Sequence, residues 1–174
     1  LHVGVGRRNA QNVTSVGGFP TVIDVNTGTD VAGGSTSATV QLPANISSGD
    51  LLLIFGGCSN AVSNFAAAGW TTLTGDGSAS RIATAFKIAS GSEGASVGVT
   101  WTTNAGARFS SWRIPAATWQ GVTPPEAATI ATGASTTPDA PSLSPSWGAG
   151  NTLWIATFGT GSAANTITAF PTNY

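Results

Sequence analysis

Apolar and polar positions alternate with a period of two along most of this chain. Ala38, Val40 and Leu42 fall on one side of a short run, and Thr39 and Gln41 on the other. That is the signature of a half-buried β-strand. Thr21 to Asn26 (TVIDVN) is β-branched and alternating, and Trp70 to Thr74 (WTTLT) predicts another short strand. In SRIATAFKI, Ile82, Thr84, Phe86 and Ile88 share one face, with Arg81, Ala83, Ala85 and Lys87 on the other. A tight Gly91-Ser92-Glu93-Gly94 connection follows, and Val97, Val99 and Trp101 then alternate with Ser96, Gly98 and Thr100. RFSSWRI (108–114) and LWIATF (153–158) read the same way. Asp50 to Phe55 departs from the pattern, being apolar on both faces, which predicts a central strand.

Connections rich in Gly, Ser, Asn and Pro recur after each short run. No convincing 3.6-residue period runs beyond a turn or two, and Phe65 to Ala68, stopped by Gly69, is the best candidate for a helical turn. Pro124, Pro125, Pro138, Pro141 and Pro145 exclude central pairing over 123–147 and predict an edge strand and long loop there. Short strands with regular turn signals predict an all-β fold, an antiparallel β-sandwich of jelly-roll type. Residues 1–20 show neither period and predict an extended N-terminal arm, free or docked on a neighbour, ahead of a single sandwich domain at 21–174.

Composition sharpens this reading. Charged residues make up 7% of the 174 positions, against roughly 25% in an ordinary soluble domain. Arg7, Arg8, Arg81, Lys87, Arg108 and Arg113 are balanced by seven acids to a net charge of −1. Such a chain has no basic field for binding nucleic acid. Its hydroxyl-rich surface suits either a plain neutral sandwich or a subunit whose faces lie against neighbours. The aliphatic runs are too short for a membrane helix, so no membrane insertion is expected. Cys58 is the single cysteine; it offers no intrachain disulfide and reads as a small buried hydrophobe. Met is absent and position 1 is Leu, which predicts a processed product or part of a longer chain.

Candidate chemistry is sparse. The single His, His2, lies in the arm, where nothing holds a general base against a nucleophile. No His or Cys spacing matches a transition-metal site. Of the acids Asp24, Asp30, Asp50, Asp76, Glu93, Glu126 and Asp139, Asp30, Asp50, Asp76 and Glu93 sit directly beside Gly, Ser or Thr. Local backbone hydrogen bonding explains the Asp positions without a hydrolytic pair. Gly75-Asp76-Gly77-Ser78 lacks the spaced acids of a calcium loop, and VGVGRR has no helix behind it to make a dinucleotide fingerprint. Asn12-Val13-Thr14 and Asn45-Ile46-Ser47 match the short glycosylation acceptor pattern. No catalytic residue, metal ligand or cofactor is therefore assigned.

Of the six tryptophans, Trp101, Trp112 and Trp154 lie within alternating runs and predict core packing. Trp70, Trp119 and Trp147 stand at strand starts or loop borders, and these three are the candidate glycan platform. Core packing is the plainer reading for each of them.

The segments LPANISSGDLLLIF, GWTTL, RIATAFKIASGSEGASVGVTW, PDAPSLSPSWGAGNTLWIATFG and ITAFPTNY, in this order over 19–174, resemble a family of β-sandwich virion proteins of tailed bacteriophages. That family occurs among tail, fibre and capsid-surface genes. The resemblance implies a non-enzymatic virion component on the particle exterior, partnered by major capsid or tail subunits and by itself. It transfers no catalytic residues. The arm departs from the family pattern, and members continue past the FPTNY-like segment, so the sandwich is expected to be incomplete at its C-terminal end. Arg7 and Arg8 are the candidate anchoring contacts, with a solvated, disordered terminus as the equal alternative. The alternative function is a carbohydrate- or receptor-binding module that meets a host-surface glycan.

Overall fold

The computed structural model describes residues 2–5, 19–74, 81–119, 121, 123–132, 140–148 and 151–159. Its strands are β1 (His2–Val5), β2 (Asp24–Gln41), β3 (Leu51–Cys58), β4 (Ala66–Ala67), β5 (Thr71–Thr74), β6 (Ile82–Ile88), β7 (Ser96–Ile114) and β8 (Asn151–Trp154). One 3-10 turn, Ala116–Thr118, follows β7. Six strands form an antiparallel sheet in the order β2-β7-β3-β6-β5, with β4 paired to a separate stretch of β7. The fold is all-β and sandwich-like, as the alternation predicts.

The layering comes from two strands that the sequence splits into four. Thr21 to Asn26 and Ala38 to Leu42 read as separate strands, yet β2 runs continuously for 18 residues; β7 likewise joins Val97–Trp101 to the 108–114 run over 19 residues. Their ladder is interrupted between Thr27 and Thr29, between Val31 and Ser35, and between Ser35 and Ser37. Such irregularities bend a ribbon and let one strand serve two layers. Gly34, at φ +89, sits at the middle break, a backbone conformation that L side chains rarely adopt.

Beyond the bend, β2 folds back over itself. The Thr29 hydroxyl donates to the Thr39 carbonyl and accepts from the Gln41 N–H, both at 3.4 Å. The fully buried Ser111 hydroxyl donates to the Gln41 carbonyl at 2.6 Å. Side-chain hydroxyls thus satisfy backbone groups of the returning segment that would otherwise lie unpaired against the sheet.

Each face of the sheet carries its own core. On one face, Ile54, Cys58, Ala83, Ala85, Ala107 and Phe109 meet Val40, Val99 and Trp101 from the folded-over half, together with Phe65 and Ala67. On the other, Leu51, Leu53, Phe55, Phe86, Ile114 and Trp119 pack together, covered in part by Val22, Leu73, Trp112, Leu153 and Ile155. The double-sided Leu51-Leu52-Leu53-Ile54-Phe55 run therefore occupies the centre, between β7 and β6, where both faces are covered. The same covering explains why Ala83 and Ala85 are buried along with Phe86.

Four local expectations change. Phe65 to Ala68 forms no helical turn, because Ala66 and Ala67 extend to pair with Thr100 and Val99. The run read as 153–158 is strand only over Asn151–Trp154, and β8 pairs with β1 in a separate two-stranded sheet. His2–Val5 of the expected arm thus pairs within its own chain. Trp154, read as core, is 39% exposed. Among the described residues of 123–147, an isolated bridge at Glu126 is the only ladder, in keeping with the prolines.

Gly56 provides a direct test of this packing. The Phe109 ring lies over it, and a Cβ there would stand 2.3 Å from ring carbon Cε1. Gly56→Ala is expected to destabilise the fold by about 1–3 kcal/mol through overpacking. Gly98→Ala, whose Cβ would meet nothing within 4 Å, is expected to be close to neutral. Denaturant midpoints of the two variants against the parent check this.

Candidate functional site

The charged side chains at the end of the sheet are committed to structure. Asp50, 2% exposed, accepts hydrogen bonds from the Ser47 N–H (2.9 Å), the Ala116 N–H (2.9 Å) and Arg113 Nη1 (3.1 Å). It closes the turn that leads into β3 and ties that turn to the end of β7. Next to it the Trp119 indole N–H donates to the Gly49 carbonyl at 3.0 Å. Burial alone would raise the Asp50 pKa, but the two backbone N–H groups and Arg113 outweigh it and hold the carboxyl below its ordinary value.

Glu93 plays the same part at the next turn. Its carboxylate accepts from the Ser90 N–H and hydroxyl and from the Gly91 N–H, and it pairs with Lys87 at 3.4 Å. Desolvation is again the largest single effect and acts upwards, yet these hydrogen bonds bring the pKa down to about 2. A carboxylate so placed stays ionised at neutral pH and cannot serve there as a general acid. Arg108 and Asp30 form an exposed pair at 3.4 Å. Burial pushes the Cys58 thiol up to about 11, leaving little thiolate to react or bind metal. Among the described residues no three His, Cys, Asp or Glu side chains converge on one point.

One open cleft of about 600 Å³ borders the start of β2. Asp24, Val25 and Asn26 form one wall, with Gln41 to Ile46 and the 91–95 turn opposite. Both acids that line it have structural partners, Asp24 accepting from the Ala44 N–H at 3.1 Å and Glu93 as above. Asn26, Gln41 and Asn45 leave the lining rich in amides.

The outer side of that wall is the more unusual surface. In the six-stranded sheet β2 is a terminal strand, paired to β7 on one side, and among the described residues no strand pairs on the other. Val25 there is 43% exposed, and Phe19 and Ile23, which precede β2 in the chain, are 51% and 50% exposed. Val25 is registered opposite Trp112, which packs edge-on against Phe55 with ring centroids 5.0 Å apart. Val25 therefore stands beside the second core at the rim of the sheet, and Val22 packs against that core. The sequence identifies Thr21 to Asn26 as a strand, but strand position within a sheet leaves no mark in an alternating run, so this edge was not legible there.

The candidate glycan aromatics do not form a platform. Trp119 is wholly buried in the core on one face, and its indole N–H is spent on Gly49, so it is corrected to a core residue. Trp70 is half-buried and packs against the core of the opposite face. Trp147 is half-buried in the proline-rich segment. Arg7 and Arg8 lie outside the described residues. No family model, no curated protein and no solved structure matches the chain.

Asp50→Ala is expected to cost about 3–5 kcal/mol, since it strands Arg113 beside two unpaired backbone donors. The pH dependence follows from a folded-state pKa held below the unfolded one. The stabilisation is complete above the ordinary aspartate value of 3.8 and is lost as pH falls through the lower folded value. Parent and Asp50→Asn stabilities should therefore converge in acid. Urea titrations at pH 7 and below pH 3 check both statements.

Proposed function

We propose that this chain is a non-enzymatic structural subunit of a tailed-bacteriophage particle, assembling on the particle exterior through its neutral faces and an open sheet edge. One observation carries the assembly half of this reading: among the described residues the outer edge of β2 has no partner strand, and Val25 on it is exposed, as are Phe19 and Ile23 just before it in the chain. A free monomer gains nothing from such an edge, which templates pairing with another chain. The 7% charge content agrees, because a surface meant to stay solvated alone would carry more. The particle setting rests on the ordered sequence segments that resemble phage sandwich proteins. Capsid surface is preferred over tail, since a single compact sandwich without long repeats suits a decoration bound outside a shell.

The amide-lined cleft favours a second reading, a saccharide-binding module. Asn26, Gln41 and Asn45 offer both donors and acceptors to hydroxyl groups. In that reading the cleft, and not a tryptophan platform, meets the host-surface glycan.

Quantitative mass spectrometry of gradient-purified particles tests the first reading. The chain is expected at a fixed, symmetric copy number per particle; its absence from intact particles would overturn the proposal. A glycan array with the isolated protein tests the second. Binding that is lost on Asn26→Ala would support it, and an array without a binder would remove it.

A further inference from the structure

We draw no further inference here: the strongest candidate, the open cleft between the start of β2, the 41–46 segment and the 91–95 turn, belongs to the saccharide reading already described, its Asp24, Asn26 and Glu93 side chains are bonded to the chain's own backbone, and none of the buried unpartnered polar atoms among the described residues lies in its lining.

Discussion

A strand pair too long to lie flat governs this structure. Eighteen residues of β2, fully extended, would span about 60 Å, well beyond what a small single-core protein can cover on both sides. The ribbon therefore has to bend, and its far half returns over the near half. That return creates the core around Phe109 and Trp101, and it presses backbone carbonyls and an N–H against a sheet face. Hydroxyls of Thr29 and Ser111 accommodate them. A chain with so few charges relies on such short polar side chains, which satisfy buried backbone without bringing an ion along. The abundance of Ser and Thr that makes the surface look bland in composition has a structural use inside.

The two carboxylates with depressed pKa values belong to the same logic. Asp50 and Glu93 each replace a missing turn partner with a charge-assisted one, at the two turns that deliver the chain into β3 and β7. Perturbed carboxylates often mark active sites, but these are shifted towards permanent ionisation by backbone donors, the direction that suits anchoring. With Asp24 also held by the Ala44 N–H, Asp50 and both acids that line the cleft are spent on architecture.

How much of this was legible in the sequence depended on range. Local alternation identified the strand runs, and the unbroken Leu51 to Phe55 run placed the central strand, because only coverage on both sides accounts for it. Continuity was not legible. Gly33-Gly34 reads as a turn, and a turn and a bend in one continuing strand use the same residue. The Phe65 to Ala68 stretch misled because alanine's helix propensity is a weak local preference that pairing with β7 overrides. Tryptophans were harder still. Trp119 reads as a loop-border residue, but the 3-10 turn after Ile114 swings it beneath Gly49, whereas Trp154, in a clean alternating run, sits at an exposed rim. Which strand ends the sheet is a property of the whole topology, so the apolar edge of β2 emerged only with the fold.

The account's central claim is that this edge, unpaired among the described residues, is completed by pairing with another chain. Hydrogen–deuterium exchange of the full chain, followed by mass spectrometry over a wide concentration range, tests it most directly. Peptides from β3 should be protected throughout, whereas those spanning 20–28 should exchange quickly in dilute solution and become protected as concentration rises. Equal exchange of the 20–28 peptides at every concentration, or concentration-dependent protection confined to other strands, would contradict it.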